Sequence, residues 1–275
     1  MSFASDVIEL TREGAVATLW LNRVDARNAL GTAFWADLPR ATAVLAADPQ
    51  VRAVVIAPRG GHFTVGLDLK ELGASLTGGG ARGSAAARAR GRLESVRRMQ
   101  QAISSVAELP VPVIAAVSGY CLGGGVDLIT ACDIRVAAPD AVFSVRETRM
   151  AIVADLGTLQ RLPRIVGPGH AAELAFTGQD IDAAHAAAIG LVNRVVGPAA
   201  DDAIAAAHDL AATIAANSPW AVRGTKAVLR ANDGRSIDEG LDFVARWNAL
   251  FLENDDLVEA LGAFLERRPP NFTGR

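Results

Sequence analysis

The chain has 275 residues, of which 51% are hydrophobic and 21% charged, with a formal net charge of -3. This composition supports a folded core and argues against global disorder. The small net charge gives no sign of the phosphate attraction that nucleic-acid binding requires. The widely spaced Cys121 and Cys132 predict neither a disulfide framework nor a zinc site.

The sequence also argues against a secreted or membrane-embedded protein. Its first residues contain no basic region followed by an apolar run, and no uncharged apolar stretch is long enough for a transmembrane helix. The last residues do not match a peroxisomal tripeptide. We therefore expect a cytoplasmic protein.

Strand and helix patterns alternate along the first part of the chain. The runs DVIEL and AVATLWLNR flank TREG, which predicts a hairpin. A helix is predicted over 32–47 and a buried strand over 51–58, followed by a loop and a helix start in GGHFTVGLDLKEL. These elements open an α/β arrangement.

The same alternation continues through the middle of the chain. The segment TGGGARG at 77–83 is predicted to be flexible, and an Arg-rich helix follows it as far as Leu109. VPVIAAVSG at 111–119 predicts a second buried strand, the next glycines predict a helix start, and IRVAAPDAVFSV predicts further strands.

The pattern becomes helical after GLVNRVV at 190–196 and stays so almost to the end. Breaks are predicted at Ser218-Pro219, at Asp233-Gly234 and near Asn254. We therefore predict an α/β core over 1–197 and a helical region over 198–275, which packs on its own core or on another subunit.

The stretch YCLGGGVDL at 120–128 places three glycines just before Asp127. A phosphate cradle is one interpretation, but neither GxGxxG nor Gly-Lys-Ser/Thr is present. Tight packing of a helix on a strand is another. A third is a helix start whose unpaired N–H groups stabilise an oxyanion. The loop FTVGLDLKEL, which also runs into a predicted helix, favours the third interpretation, because two such loops can donate to one carbonyl oxygen.

HFTVGLDLKEL and, further along, AAVSGYCLGGGVDLITACDIRVAA resemble the crotonase (enoyl-CoA hydratase/isomerase) superfamily. GTLQRLPRIVG, AAIGLVNRVV and FLERRPPNFTGR extend the resemblance over essentially the whole chain. It implies an α/β fold of the crotonase (ClpP/crotonase-like) type, which is a spiral of β-β-α repeats with a helical C-terminal oligomerisation region. It also implies a homo-oligomer, either a trimer or a dimer of trimers.

The resemblance implies a site for an acyl-CoA thioester, whose carbonyl oxygen would lie between the N–H groups of Leu67 and Gly124. It places catalytic acids at Asp127, Glu147 and Asp155. This set of acids, together with FTVGLDL and ADLGTLQRLP, is similar to Δ3,5-Δ2,4-dienoyl-CoA isomerases. Coenzyme A would be part of the substrate, so we expect no separate cofactor, no metal and no nucleic-acid or membrane partner.

The implied reaction moves a 3,5-diene to the 2,4 position through a dienolate. Glu147 would remove a proton at C2 and Asp155 would deliver one at C6, while Asp127 orients the others or raises a neighbour's pKa. The alternative is an enoyl-CoA hydratase that adds water to trans-2-enoyl-CoA. Hydratases typically carry glutamate where this chain has the shorter Asp127. A non-catalytic acyl-CoA binder or RNA scaffold is disfavoured by the intact acids.

Each implied site residue also has a simpler interpretation. Asp155 precedes a predicted helix and could cap it, Asp127 could be solvated, and Glu147 could form a surface ion pair with a flanking arginine. The resemblance further implies CoA contacts from three cations, each of which could equally be a solvated surface charge; they are Arg27, Lys70 and Arg267.

Overall fold

The computed structural model describes residues 3–71, 73 and 84–274. The segment predicted to be flexible, 77–83, lies outside these residues. Within the described ranges, no helix combines the length and the apolar character needed to cross a membrane.

The chain opens with the predicted hairpin. Strand β1 (Ile8–Glu13) pairs antiparallel with β2 (Val16–Leu21). The turn is tighter than TREG suggested, because β1 runs on through Glu13 and only residues 14–15 form the turn. Gly14 has a φ of 55°, which glycine adopts without steric cost.

Four parallel strands extend this hairpin into a mixed sheet. The sheet order is β1-β2-β3-β4-β6-β9, and every neighbouring pair beyond the hairpin is parallel. All residues of β3 and β4 are buried, as expected for parallel strands covered on both faces. The added strands are β3 (Ala53–Pro58), β4 (Val113–Val117), β6 (Ile134–Ala137) and β9 (Arg194–Val195).

The helices between these strands confirm the predicted alternation. The predicted helix over 32–47 has these bounds in the structure, and the Arg-rich helix ends two residues before Leu109. Short 3₁₀ segments occupy 24–26 and 147–150. The helices of this part are α1 (Thr32–Ala47), α2 (Ala85–Ala107), α3 (Gly124–Thr130), α4 (Thr158–Thr177) and α5 (Ala183–Ala188).

A second, smaller sheet carries the glycine motif. It has the order β5-β7-β8, where β5 is Tyr120–Leu122, β7 is Val142–Ser144 and β8 is Ile181–Asp182. Strand β5 leads directly into the glycines and α3. The glycine motif is therefore fixed at the end of a strand that pairs with β7, from a later part of the chain, and with Thr64, from an earlier part.

The C-terminal part is helical, with breaks at the predicted places. Ser218 and Asn254 are the N-cap residues of α7 and α9. The helices are α6 (Ala200–Ala215), α7 (Pro219–Ala231), α8 (Ile237–Phe251) and α9 (Asp255–Glu266).

Helix α6 packs against β3, β4 and β6 of the large sheet. Its buried face repeats every fourth residue and consists of alanines, whose small side chains let the helix approach the strands closely. They are Ala203, Ala207, Ala211 and Ala215. The first C-terminal helix thus belongs to the same hydrophobic core as the sheet. The division of the chain at 197–198 stays a prediction.

Strand direction gathers three loops at one edge of the large sheet. Parallel strands end at a common edge, so the segments that follow β2, β3 and β4 emerge together. These segments are 22–31, 59–68 and 118–123. Both glycine-bearing loops that the sequence singled out are therefore brought to the same edge.

Candidate active site

Backbone hydrogen bonds hold the loop 59–68 against the glycine motif. The Thr64 N–H donates to the carbonyl of Tyr120 over 2.8 Å, and the Leu122 N–H donates to the carbonyl of Thr64 over 3.1 Å. The Thr64 hydroxyl donates to the carbonyl of Asn28 over 2.6 Å and accepts from the Gly66 N–H over 3.0 Å. One buried threonine thus aligns all three loops.

The same loop presents the N–H of Leu67. The Leu30 N–H donates to the carbonyl of Gly66 over 2.8 Å, and the Asp68 N–H donates to the carbonyl of Leu30 over 3.1 Å. These two bonds fix the backbone on either side of Leu67. Among the described residues, the N–H groups of Leu67 and Gly124 donate no hydrogen bond.

The two loops are also close to each other at Gly66. A Cβ at this position would lie 2.7 Å from the carbonyl oxygen of Leu122 and 3.6 Å from the nitrogen of Gly124, and the φ of Gly66 is 86°. A side chain here would collide with the glycine motif and strain the backbone. Two free N–H donors on neighbouring loops, one of them at a helix N-terminus, match the arrangement predicted for an oxyanion site.

The three glycines of the motif are required for different steric reasons. Gly123 has a φ of 52°, and a Cβ there would lie 3.4 Å from Oε1 of Glu147. A Cβ on Gly125 would lie 2.6 Å from Cγ2 of Thr64, so tight packing explains that position. At Gly124 a Cβ would lie 3.0 Å from Cδ1 of Leu30. The packing and oxyanion interpretations are therefore compatible within one motif.

Asp127 is buried, with 1% of its surface exposed, so the simpler interpretation of a solvated side chain is wrong. Its Oδ1 accepts hydrogen bonds from the backbone N–H of Thr158 over 2.6 Å and from the Thr158 hydroxyl over 2.7 Å. Burial raises the pKa of Asp127 to about 6, and the two bonds from Thr158 oppose this rise. Asp127 thereby caps α4, a role the sequence had offered for Asp155.

Glu147 lies in the 3₁₀ segment and forms no ion pair with the adjacent arginines within the described residues. Arg146 instead pairs with Asp180 over 2.6 Å, so the surface ion-pair interpretation of Glu147 is wrong. The Oε2 atom of Glu147 is buried without a hydrogen-bond partner. Burial, and less strongly the negative charges of Asp127 and Asp155, raise the pKa of Glu147 to about 7. A carboxyl group with such a pKa and a free oxygen is suited to proton transfer at neutral pH.

Asp155 does not cap α4. The N-cap residue is Gly157, with a φ of 124°, which has no side chain of its own to cap the helix. The backbone carbonyl of Asp155 accepts a hydrogen bond from Nε2 of Gln100 over 2.6 Å. Burial raises the pKa of the Asp155 carboxyl, which is half-buried.

Asp155 also lines a cleft of about 1410 Å³ between α2, α4 and α7. The other predicted acids and the two N–H donors do not line this cleft. Since the charge of Asp155 acts on both Asp127 and Glu147, the structure brings the three acids into one electrostatic group. Asp155 lies where this group meets the cleft.

Two residues that the sequence pattern did not single out act on Asp127. Thr158 binds Asp127, and the positive charge of Arg161 lowers the pKa of the same carboxyl. Arg161 also donates to the carbonyl of Leu156 over 3.4 Å and to the hydroxyl of Ser104 over 3.2 Å. For Thr158, the local pattern shows only a threonine at a predicted helix start, which indicates a helix cap and does not indicate that it binds a distant acid.

The three predicted CoA-binding cations are all exposed. The carbonyl of Arg27 accepts from the Val65 N–H over 3.2 Å, and Lys70 lies in the helical turn that follows Leu67. The structure thus places these two beside the oxyanion loop. Arg267 ends α9, and in the described part of the chain no ion pair or hydrogen bond joins it to that loop. Contacts from these side chains to CoA stay predictions.

The contact between Thr158 and Asp127 predicts an effect on Glu147. In a Thr158→Val variant the hydroxyl bond is lost, so the pKa of Asp127 should rise and its negative charge near pH 7 should diminish. The pKa of Glu147 should then fall below about 7, because this charge helps to raise it. Titration of the Glu147 carboxyl carbon by ¹³C NMR measures the change.

The matched control is Thr158→Ser, which keeps the hydroxyl and should keep the pKa of Glu147 unchanged. An unchanged or higher Glu147 pKa in the valine variant would show that Thr158 does not govern the charge of Asp127.

Comparisons with known proteins identify the family of this chain. Residues 11–275 match the family model described as enoyl-CoA hydratase/isomerase. A peroxisomal Delta(3,5)-Delta(2,4)-dienoyl-CoA isomerase of Arabidopsis thaliana is 42% identical over 97% of this chain and 96% of its own length. The mitochondrial protein of the same name from Homo sapiens is 41% identical over 90% of this chain and 75% of its own.

A solved structure confirms the predicted fold. A crystal structure of an enoyl-CoA hydratase from Bacillus anthracis superposes with a TM-score of 0.88 at 32% identity, covering 98% of this chain and all of the other. The α/β spiral with a helical C-terminal region is therefore the fold of this chain. On the family match, the relatives and this likeness, the chain belongs to the enoyl-CoA hydratase/isomerase family and is an enzyme.

Proposed function

We propose that this enzyme is an acyl-CoA isomerase that converts a 3,5-dienoyl-CoA into the 2,4-dienoyl-CoA. The observation that carries the proposal is the state of Glu147, whose pKa is about 7 and whose Oε2 is buried without a partner beside the glycine motif. The names of the relatives with about 40% identity support the same reaction.

The thioester oxygen of the substrate accepts hydrogen bonds from the N–H groups of Leu67 and Gly124. When a proton leaves C2, negative charge spreads over the dienolate and gathers on this oxygen. Donors that are already fixed in place stabilise that charge without having to reorganise. The hydrogen bonds on either side of Leu67 and the helix start at Gly124 support this assignment.

Two separate carboxyl groups move the protons. Glu147, in its ionised form, removes a proton from C2, and Asp155, in its protonated form, delivers one to C6. The pKa of Glu147, about 7, suits a base at neutral pH, and burial raises the pKa of Asp155, which favours its protonated form. Their placement also suits them, because Glu147 adjoins Gly123 whereas Asp155 lies at the cleft. If the substrate extends from the glycine motif towards the cleft, its C2 atom lies beside Glu147 and its C6 atom lies beside Asp155.

Asp127 acts on the other acids and not on the substrate. Thr158 occupies its Oδ1 with two hydrogen bonds, and its charge raises the pKa of Glu147. In this role Asp127 keeps Glu147 able to hold and release a proton near neutral pH.

Hydration of a trans-2-enoyl-CoA is the second candidate, because the Bacillus anthracis neighbour is named a hydratase. That neighbour is 32% identical, whereas the relatives named dienoyl-CoA isomerases reach 41–42%. A hydratase holds one water between two carboxylates, and the short, buried Asp127 is engaged with Thr158 instead. Hydration does not require a third acid at the position of Asp155, whereas the diene shift requires an acid that delivers a proton to C6.

An ultraviolet assay that offers a 3,5-dienoyl-CoA and crotonyl-CoA side by side tests the proposal. Isomerisation conjugates the diene with the thioester and increases the near-ultraviolet absorbance, whereas hydration of crotonyl-CoA removes the enoyl absorbance. We expect turnover of the dienoyl-CoA to exceed loss of crotonyl-CoA by at least tenfold. Fast loss of crotonyl-CoA with no conversion of the diene would favour the hydratase.

The remaining features of the proposed enzyme come from the resemblance. Coenzyme A is part of the substrate, with Arg27, Lys70 and Arg267 as candidate contacts to its phosphates, and no separate cofactor or metal takes part. The enzyme acts as a trimer or a dimer of trimers. A cytoplasmic location stays a prediction, and the names of the relatives place those proteins in peroxisomes or mitochondria.

A further inference from the structure

A second cleft, of about 640 Å³, lies far from the acids, and we call it the arginine cleft. Its lining residues include Arg12, Arg52, Arg223 and Trp220 and, within the described part of the chain, no Asp or Glu. The volume is within the range of small-molecule sites, which is roughly 300–1,000 Å³. Three guanidinium groups in one cleft repel one another unless an anion balances them.

The arginine cleft lies at the opposite edge of the large sheet from the candidate active site. Ala15 and Arg52 line it and directly precede β2 and β3, so it adjoins the amino ends of these strands. The loop that carries Leu67 follows the carboxyl end of β3. A strand of this length spans about 20 Å, so the arginine cleft is separate from the acyl-CoA site proposed above.

Arg223, which lines the cleft, has a buried donor without a partner. Its Nε is buried without a hydrogen-bond partner, and among the described residues its guanidinium forms no ion pair. Native proteins rarely leave such groups unpaired, and a bound ion is one common reason for the exception.

The other two arginines differ in how far they are neutralised. Arg12 lies 3.6 Å from Asp48 and donates to the carbonyl of Gly14. Arg52 donates to the carbonyls of Ala215 and Phe272, which fix its position but leave its charge unbalanced. Within the described chain, Arg52 and Arg223 therefore contribute two positive charges without an acidic partner.

We propose that the arginine cleft binds a small molecule that carries a phosphate monoester group. A phosphate monoester has a charge of about -1.5 to -2 near pH 7, which matches the two unbalanced guanidinium groups, whereas a carboxylate supplies only one negative charge. Guanidinium groups also bind phosphate oxygens in a bidentate manner. The space beyond the arginines accommodates the remainder of the molecule.

Inorganic phosphate is the probe for this site. Calorimetric titration and thermal unfolding of the full chain, at constant ionic strength with chloride or acetate as the comparison anion, measure its binding. We expect phosphate, and neither chloride nor acetate, to raise the unfolding temperature. Arg223→Gln should weaken phosphate binding at least tenfold and abolish this rise.

Two variants separate this site from general charge effects and from the acyl-CoA site. Arg230→Gln removes the same charge at the other end of α7, and Lys70→Gln removes a candidate CoA contact; both should keep the phosphate response. Equal phosphate responses in Arg223→Gln and Arg230→Gln would overturn the proposal, as would loss of the response in Lys70→Gln alone. Phosphate binding and the unfolding temperature are measured without isomerase activity. Failure of the phosphate-site proposal can therefore be distinguished from failure of the proposed isomerase function.

Discussion

Replacing Glu147 by glutamine should lower kcat for a 3,5-dienoyl-CoA by about 10²- to 10⁴-fold, the usual effect of losing a general base. Glutamine has nearly the same shape, so the packing beside Gly123 should be kept while the ability to accept a proton is lost. The initial rate of 2,4-dienoyl-CoA formation at saturating substrate measures the effect. Glu173→Gln, an exposed change on α4, is the matched control and should retain full activity.

The pH dependence provides a second test of the same residue. Glu147 must be ionised and Asp155 protonated, so the kcat–pH profile should pass through a maximum, and one of its two limbs should be set by the pKa of Glu147, about 7. In Glu147→Gln this limb should disappear from the profile of the residual rate. A glutamine variant whose rate and pH profile equal those of the Glu173→Gln control would remove Glu147 from the mechanism.

Replacing Asp155 by asparagine should lower kcat by at least about 10²-fold, because asparagine has no proton to deliver to C6. Substrate binding should survive. The bond from Gln100 goes to the backbone carbonyl of residue 155, and the helix cap at Asp127 does not involve this side chain. Binding of a saturated acyl-CoA measured by calorimetry, together with the ultraviolet rate assay, separates the two effects.

The control for Asp155 is Asp209→Asn, which changes an exposed acid on α6 and should leave both measurements unchanged. Loss of acyl-CoA binding in parallel with activity in Asp155→Asn would indicate a role in substrate binding. Normal turnover in this variant would exclude Asp155 as the C6 acid.

Local pattern was sufficient to predict most of the fold. The helix over 32–47 and the buried strands around residues 53–58 and 113–117 depend on neighbouring residues, so periodicity and flanking Gly or Pro predict them. The family-level fold came from the resemblance of the combined motifs. Neither local pattern nor periodicity alone determines the strand order that brings the glycine-bearing loops together.

The contacts of each acid could not be predicted from the sequence as the fold was. Glu147 stands next to Arg146, yet the backbone turns so that Arg146 pairs with Asp180 and Glu147 faces inward. Asp155 precedes a helix, yet the cap is supplied by Asp127 through a contact between residues 31 positions apart. These partners are set by tertiary packing, which a pattern of neighbouring residues does not encode.

The central claim is that separate carboxyl groups remove the C2 proton and deliver the C6 proton. Its most direct test is conversion of a 3,5-dienoyl-CoA in D₂O, with early product analysed by NMR. Asp155 is half-buried at an open cleft, so its proton should exchange with solvent. We expect deuterium at C6 of the 2,4-dienoyl-CoA. Early product with only hydrogen at C6 would mean that one group carries the same proton from C2 to C6, and would exclude the mechanism with two separate carboxyl groups.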